Sequence, residues 1–324
     1  MNASTSNYVP GIKTLDIRDF YSDDAAKKSA FVENLQASFR DIGFVIIKGH
    51  NISHELQEKS YSAMTSFFAL PEATKMQYHV PGIGGARGYT PFGKEHAKNH
   101  NVGDLKEFYH VGVDVPEDNP LAKTYPKNVS VPDVAEFDAT LRNLYSGLLD
   151  LGMDVLRALA ISLKLDPEYF TEYVRYGNSI LRPIHYPPIS ANVEAKALRS
   201  APHEDINLIT LLIGASNPGL EAKSRSGEWI PVQTKADEIV INVGDMLQRL
   251  TNYYYVSTTH QVVNPKDPQK LRESRLSVPF FLHPVSEMSL KALPQTVSNT
   301  TPQRDPDTTA GEYLQERLRE IGLA

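Results

Sequence analysis

The stretch Arg275-Leu-Ser-Val-Pro-Phe-Phe-Leu282 is the last in a series of short apolar segments. This series decides the fold of the 324-residue chain. Such segments recur beyond residue 178, and Gly, Pro, Asn and Asp turns separate them. No helical pattern interrupts the series, which favours a sandwich or jelly roll over a parallel α/β sheet. The candidate strands are residues 179–186, 208–213, 219–223, 228–234, 238–243, 256–263 and 275–282.

The sequence on either side of this strand-rich part predicts helices, so we expect a mainly β fold with flanking helices. One predicted helix lies between Ser22, a candidate N-cap, and Gly43, which is past its end. The other predicted helices are residues 53–69, 133–164 and 311–321, and further strands are predicted over 14–18 and 44–47. Residues 71–105 are rich in Gly, Pro and His without a sustained period, which predicts a long functional loop.

Four consecutive regions follow from this pattern. They are an N-terminal region over 1–110, a helical support over 111–177, a jelly-roll core over 178–285 and a tail with a helix over 286–324. We expect the four regions to pack as one compact unit.

Composition narrows the chemistry. The chain has no cysteine, which excludes thiolate nucleophiles, iron–sulfur clusters, cysteine zinc sites and disulfides, so any metal must bind nitrogen and oxygen ligands. The net charge of −6 argues against a nucleic-acid partner. The N-terminus has no apolar leader and no apolar run approaches the roughly 18 residues of a membrane span, so we expect a cytoplasmic protein with no membrane partner.

One histidine is placed to share a metal with a carboxylate. Of the ten histidines, only His203 has an acidic residue two positions later, Asp205. Two positions apart on extended chain, both side chains lie on one face and can meet one ion, while Glu204 between them points away. His260, on the predicted strand 256–263, is the candidate second imidazole. These residues alone equally allow His203 to cap a turn and His260 to be an ordinary strand histidine.

A candidate anion site follows His260 along the chain. Arg275 and Ser277 share one face of the strand 275–282 and so present a guanidinium and a hydroxyl together. This pair suits a carboxylate bound through two guanidinium hydrogen bonds and one hydroxyl. A surface ion pair fits poorly, because apolar residues surround Arg275.

Taken together, His203-x-Asp205, His260 and Arg275-x-Ser277 resemble the iron(II)/2-oxoglutarate dioxygenases, and more narrowly their isopenicillin N synthase-like branch. The resemblance extends over about residues 12–285. Its other motifs are Gly43-Phe-Val-Ile-Ile-Lys-Gly-His50, Arg87-Gly-Tyr89, Lys106-Glu-Phe-Tyr109, Leu181-Arg-Pro-Ile-His-Tyr-Pro-Pro188, Gly244-Asp-Met-Leu-Gln-Arg-Leu-Thr-Asn252 and Ser257-Thr-Thr-His-Gln-Val-Val-Asn-Pro265.

The resemblance implies a distorted double-stranded β-helix, a jelly-roll variant, with iron(II) bound by His203, Asp205 and His260. It also implies that Arg275, Ser277 and Tyr186 bind 2-oxoglutarate, whose oxidative decarboxylation to succinate and carbon dioxide is coupled to oxidation of a small molecule by O2, most simply hydroxylation. No catalytic residue beyond the metal ligands is implied. The sequence departs from the family at Gln261, where Arg is usual, and at Tyr253, where Gly is frequent.

The alternation of side chains along the strands also predicts which residues line a substrate pocket. If Tyr186 faces the cavity, Arg182 and Ile184 share its face, and Arg182 either meets a polar or anionic substrate or forms a supporting ion pair. Phe281 shares the parity of Arg275 and Ser277, and so lines the pocket or packs in the core. Candidates for a lid are Tyr89, Phe108 and the loop 82–105.

Two other functions remain compatible with the sequence. The first is an iron enzyme that uses no 2-oxoglutarate, of the isopenicillin N synthase or aminocyclopropane-carboxylate oxidase type, in which the Arg-x-Ser pair binds substrate instead. The second is a jelly-roll binding protein without chemistry, against which the presence of all five site residues argues.

Overall fold

The computed structural model describes residues 11–93, 106–188, 199–214, 219–265 and 267–320. Its helices are α1 Ala25–Asp41, α2 His54–Phe68, α3 Glu72–Lys75, α4 Phe137–Ser162, α5 Thr171–Val174, α6 Asp245–Leu250, α7 Pro268–Leu271 and α8 Ala310–Glu320. Its strands are β1 Thr14–Asp16, β2 Phe44–Lys48, β3 Gly88–Thr90, β4 Glu107–Gly112, β5 Ile180–Leu181, β6 Ile184–Tyr186, β7 Ser200–His203, β8 Ile209–Ile213, β9 Leu220–Lys223, β10 Trp229–Pro231, β11 Glu238–Val243, β12 His260–Val262 and β13 Arg275–Leu282.

The strands form two sheets. The large sheet has the order β1-β2-β11-β8-β13-β5-β4-β3, and β6 pairs with both β13 and β4. The small sheet has the order β10-β9-β12-β7. Strands from the first 112 residues therefore extend the sheet built by the later part of the chain. This β core with flanking helices is consistent with the expected jelly roll.

One face of the large sheet packs against the helices. Leu211 of β8 and Leu282 of β13 are fully buried there, and Gly152 of α4 lies against both. A Cβ at Gly152 would come within 2.9 Å of Leu282 Cδ2, so α4 approaches the sheet closely because this position has no side chain. The helical layer thus fixes the back of the large sheet.

The other face of the large sheet faces the small sheet. Phe44, Ile46 and Val240 from β2 and β11 pack with Ala222 of β9 in a separate apolar cluster. Next to this cluster, Asn242 of β11 lies opposite Thr210 of β8, which in turn lies opposite Phe281 of β13. Polar side chains therefore enter the space between the sheets at one level.

Several predicted elements are confirmed, and two of them, 238–243 and 275–282, have the predicted ends. The predicted helix 133–164 is α4, and 53–69 and 311–321 correspond to α2 and α8. Gly43 follows α1 with φ +69°, and a Cβ there would lie 2.2 Å from the Val256 carbonyl oxygen, so this turn requires glycine.

Other boundaries were wrong. The N-cap of α1 is Asp24 rather than Ser22, because the Asp24 carboxylate accepts hydrogen bonds from the Ala26 and Lys27 amides. Residues 179–186 form two strands, β5 and β6, and not one. The predicted strand 256–263 shortens to β12, since the Val256 amide bonds the Phe39 carbonyl of α1 instead of a strand.

The predicted long loop 71–105 contains α3 and β3, and residues 94–105 lie outside the described part of the chain. Strand β7 and helix α6 were not among the predicted elements. Within the described residues, no helix is both long enough and apolar enough to cross a membrane.

Candidate metal centre

Two neighbouring strands of the small sheet place two imidazoles side by side. Strands β7 and β12 are antiparallel, and His203 is directly opposite His260 in their register. The ring centroids are 4.4 Å apart. Phe44, from β2, contacts the His260 ring edge-on at 5.7 Å and closes the apolar side of the site. Strand pairing therefore brings these histidines together across more than fifty residues of sequence.

Asp205 lies just beyond the end of β7 and is 6% exposed. Its Oδ1 atom is 3.8 Å from His203 Nε2 and 3.8 Å from His260 Nε2. Its Oδ2 atom accepts hydrogen bonds from Thr210 Oγ1 at 2.6 Å and Asn242 Nδ2 at 2.8 Å. The large sheet thus orients the carboxylate, and Oδ1 is the oxygen that faces the two imidazoles.

Backbone carbonyls orient both imidazoles. His203 Nδ1 is 2.8 Å from the Ala201 carbonyl oxygen, and His260 Nδ1 is 3.1 Å from the Thr258 carbonyl oxygen. A carbonyl only accepts, so each Nδ1 carries the hydrogen and each Nε2 keeps its lone pair toward Asp205. This tautomer is the one that a metal-binding imidazole requires.

Charge at the site also favours a cation. Burial alone would raise the pKa of Asp205, but His260, His203 and the hydrogen bonds from Asn242 and Thr210 lower it below its usual value. Desolvation, with a further contribution from His260, lowers the pKa of His203 to about 4. The site at neutral pH therefore combines one carboxylate with an uncharged His203 imidazole.

These three side chains fit a mononuclear metal. One ligand atom from each residue lies within 4.8 Å of the other two, and among the described residues no other group of three or more such side chains has this property. Two imidazoles and one carboxylate on one side of an ion leave the opposite positions open, which is the donor set of non-haem iron(II) oxygenases. Glu204 points elsewhere, as expected, and accepts a hydrogen bond from Thr259 Oγ1 at 2.7 Å.

The predicted anion-binding residues lie together on neighbouring strands of the large sheet. Arg275 of β13 is directly opposite Tyr186 of β6, and Ser277 is opposite Ile184. The Arg275 guanidinium lies 5.2 Å from the centre of the Tyr186 ring. Arg275 is 1% exposed and Ser277 4% exposed. The guanidinium and the hydroxyl are therefore enclosed on one strand face.

A second cation lies among aromatic rings at the other end of this face. The guanidinium of Arg182 is 4.6 Å from the Phe108 ring centre and 5.0 Å from the Phe281 ring centre. Arg182 Nε donates to His110 Nε2 at 2.6 Å. Ile184 packs with Phe108 and Tyr186 in a small buried cluster. Four of the five predicted pocket residues are thus neighbours: Arg182, Ile184, Phe108 and Phe281.

Tyr89, the fifth, lies apart from them. It is 1% exposed, belongs to the main core and contacts the Phe67 ring at 5.9 Å. Its hydroxyl donates to Glu107 Oε2 at 2.5 Å. Tyr89 is opposite Tyr109 on β4, whereas Phe108 points to the other face, so strand alternation separates the two lid candidates.

The sequence did not identify four polar residues at the site. Thr210 and Asn242 orient Asp205, and His110 bonds Arg182. His283 is 8% exposed, and Asp205 and Arg182 are the charges that act on its pKa. Two sequence signals could have identified two of these residues. His283 continues the strand alternation of Arg275, Ser277 and Phe281, and Thr210 is a polar residue inside an apolar strand.

The two departures from the family pattern affect packing and not the ligand atoms. Gln261 Nε2 donates to Glu221 Oε2 on the adjacent strand at 2.8 Å. Tyr253 has φ +66°, a left-handed conformation that glycine adopts without cost and that costs other residues about 1 kcal/mol. The guanidinium of Arg304 lies 4.8 Å from the Tyr253 ring centre and offsets part of this cost.

Comparison with known proteins agrees with this geometry. Residues 12–133 match a family model described as non-haem dioxygenase in morphine synthesis N-terminal, and residues 174–284 match the 2OG-Fe(II) oxygenase superfamily. The 2-oxoglutarate-dependent dioxygenase citB of Monascus ruber is 32% identical, over 98% of this chain and 96% of that protein.

Solved structures give the same result. A crystal structure assigned to the 2OG-Fe(II) oxygenase family, from Caulobacter crescentus, has a TM-score of 0.85 and 41% identity over 96% of this chain and 99% of that one. A full-length Neurospora crassa protein, solved in complex with alpha-KG and thymine, has a TM-score of 0.83 and 28% identity over 95% of this chain and 96% of that one.

A β core that presents two imidazoles and one carboxylate at one point defines a mononuclear non-haem metal protein. The family matches make this class specific: the chain belongs to the 2OG-Fe(II) oxygenase superfamily and is an iron(II)- and 2-oxoglutarate-dependent dioxygenase. Its cofactor is iron(II), and 2-oxoglutarate and O2 are cosubstrates. The expected enzyme class and cofactors are therefore confirmed, and neither alternative function is retained.

Proposed function

We propose that this dioxygenase hydroxylates a small molecule at an iron(II) ion bound by His203, Asp205 and His260. The observation that carries the proposal is the position of Asp205 Oδ1, 3.8 Å from the Nε2 atoms of both histidines. Bound iron(II) with 2-oxoglutarate and O2 supplies the oxidative decarboxylation of 2-oxoglutarate to succinate and carbon dioxide, together with the oxidation of the substrate. The protein's own contribution is to orient the ligands and the two small molecules.

For 2-oxoglutarate, the proposed partners are Arg275, Ser277 and Tyr186. A buried guanidinium loses its hydration, so a carboxylate that forms two hydrogen bonds with it restores lost interactions. The Ser277 hydroxyl lies on the same strand face and adds a third hydrogen bond. Tyr186, whose ring lies against the Arg275 guanidinium, restricts the plane in which a carboxylate can approach.

For the substrate, the proposed pocket contains Arg182, Phe108, Phe281 and Ile184. Two aromatic rings beside one guanidinium suit a small planar molecule with an anionic or strongly polar edge. Thymine is such a molecule, and it is bound in the Neurospora crassa relative. A relative from Petromyces alliaceus, 31% identical over 95% of this chain and 98% of that protein, is named a proline hydroxylase. We therefore place the substrate among small polar metabolites.

At the level of the fold, we propose a distorted double-stranded β-helix in which residues 1–110, 111–177, 178–285 and 286–324 act as one unit. The pairing of β2 with β11 and of β4 with β6 supports this, because both pairs join the first region to the third. The expected cytoplasmic location stays a prediction.

The experiment that tests the proposal measures succinate. The purified protein is loaded anaerobically with iron(II) and 2-oxoglutarate, air is admitted, and succinate is quantified with and without pools of small polar metabolites. We expect slow succinate formation without added substrate and a faster rate with the pool that contains it. His260→Ala should form none, while the exposed His54→Ala should match the wild type. Equal succinate from the wild type and His260→Ala would contradict the proposal.

A further inference from the structure

A second buried arginine lies beside the proposed 2-oxoglutarate residues. Arg199 immediately precedes β7 and is 1% exposed. Its Nη2 atom donates to the Glu273 carbonyl oxygen at 3.1 Å. Its Nε and Nη1 atoms are enclosed, and neither forms a hydrogen bond within the described part of the chain. Among the same residues, no ion pair joins Arg199 to a carboxylate.

The position of Arg199 relative to Arg275 follows from its hydrogen bond. Glu273, whose carbonyl holds Arg199, is two residues before Arg275, a separation of about 7 Å in extended chain. After burial, the charge of Arg275 is the largest influence that lowers the pKa of Arg199, while Tyr186 and then Glu273 act in the opposite direction. The two guanidiniums therefore share one region, next to Tyr186 and at the start of β13.

Two like charges in one enclosed region are costly to the empty protein. A buried cation loses its hydration, and a neighbouring cation adds repulsion. One backbone carbonyl satisfies a single nitrogen of Arg199 and neutralises none of its charge. An anion between the two guanidiniums would offset both costs, and a carboxylate has two oxygens with which to accept hydrogen bonds from both.

We infer that Arg199 is a second binding residue for the distal carboxylate of 2-oxoglutarate, which it holds together with Arg275. This inference rests on the proposed function, in which Arg275 and Ser277 bind that carboxylate. Arg199 adds a charge-assisted hydrogen bond from the small sheet, whereas Arg275 and Ser277 belong to the large sheet. The cosubstrate then joins the two sheets, and its affinity depends on both cations.

The test compares two ligands that differ only in the distal carboxylate. The iron(II) protein is titrated anaerobically with 2-oxoglutarate or with 2-oxopentanoate, which has the same carbon chain but a methyl group in place of that carboxylate. The metal-to-ligand absorption band gives each dissociation constant without turnover. The variants are Arg199→Met, Arg199→Lys and, as a control, Arg272→Met, which removes an exposed arginine near the same strand.

For Arg199→Met we expect 2-oxoglutarate to bind about 10- to 100-fold more weakly, as for loss of one charged hydrogen bond. Its affinity for 2-oxopentanoate should change less than about twofold, because that ligand has no distal charge. Arg199→Lys should recover part of the loss, and Arg272→Met should bind both ligands like the wild type. If Arg199→Met does not fold, Arg199→Gln gives the same comparison, because it removes the charge and the paired N–H donors of the guanidinium but keeps a polar side chain.

Two results would overturn the inference: unchanged 2-oxoglutarate affinity in Arg199→Met, or equal weakening of both ligands. The second result would mean that Arg199 supports the structure or binds another anion. If the wild type forms no absorption band with 2-oxoglutarate, the proposed function itself fails and this inference fails with it.

Discussion

His203 and His260 are directly opposite each other on antiparallel strands, with ring centroids 4.4 Å apart and Nε2 atoms each 3.8 Å from Asp205 Oδ1. This relationship depends on strand register. A slip of one residue between β7 and β12 would turn one imidazole to the opposite face of the small sheet. The proposed iron site and the small sheet are therefore specified by the same pairing.

Replacing a proposed ligand should abolish iron binding. We expect Asp205→Ala to weaken iron(II) binding by more than about 100-fold, beyond the effect usual for residues that only hydrogen-bond a ligand. Glu204→Gln is the matched control, because Glu204 is adjacent but bonds Thr259. Iron content after anaerobic reconstitution and desalting measures both. Stoichiometric iron in Asp205→Ala would refute the proposed ligand set.

The residues that orient Asp205 should matter less, but measurably. Thr210→Val removes the 2.6 Å hydrogen bond to Asp205 Oδ2 and keeps the side-chain shape. We expect iron(II) affinity to fall about 10- to 100-fold. The exposed Thr65→Val on α2 is the control. Competition with a coloured chelator gives the affinities, and equal values for Thr210→Val and the wild type would show that Asn242 alone suffices.

Arg182 should act on the substrate and not on 2-oxoglutarate. We expect Arg182→Met to bind iron(II) and 2-oxoglutarate like the wild type and to form succinate at the same slow rate without substrate. The metabolite pool that accelerates the wild type should accelerate Arg182→Met at least about tenfold less, because a charged hydrogen bond is lost. Full acceleration of this variant would mean that Arg182 only packs between Phe108 and Phe281.

His283 should make stability sensitive to acid. Burial lowers the pKa of His283 to about 4, with Asp205 opposing and Arg182 adding to the shift. The folded state thus prefers the neutral imidazole, so the stability it contributes is present above pH 6.5 and is lost as pH falls toward 4. A pKa of about 4 in place of 6.5 corresponds to about 3 kcal/mol.

In metal-free protein, His283→Gln should therefore lose less unfolding free energy between about pH 7 and pH 4 than the wild type. Urea unfolding at several pH values measures the difference, and the exposed His54→Gln serves as control. The comparison concerns the change with pH, so a uniform loss of stability in His283→Gln does not affect it. Parallel pH curves for His283→Gln and the wild type would contradict the prediction.

The sequence predicted elements well where local pattern decides them. Residues 238–243 and 275–282 alternate or run apolar between turn residues, and their ends agree with β11 and β13. Strand β7 contains Pro202, and its partner β12 joins it to β9 and the rest of the small sheet only through pairing distant in sequence. Periodicity carries no information on such pairing, so β7 was not predicted.

The same distinction applies to the site. Alternation correctly grouped Arg275 with Ser277, but it could not decide which face of β3 and β4 meets the core. Tyr89 therefore appeared equivalent to Phe108 in the sequence, whereas packing against Phe67 buries it. Thr210 and Asn242 acquire their role only where β8 and β11 align, which depends on tertiary structure.

In the proposed site, His203, Asp205 and His260 hold an iron ion that binds 2-oxoglutarate. The anaerobic absorption spectrum on addition of 2-oxoglutarate to the iron(II) protein tests this directly. A metal-to-ligand band should appear in the wild type, saturate at one 2-oxoglutarate per chain and be absent from Asp205→Ala. No band in the wild type, or the same band in Asp205→Ala, would contradict the claim.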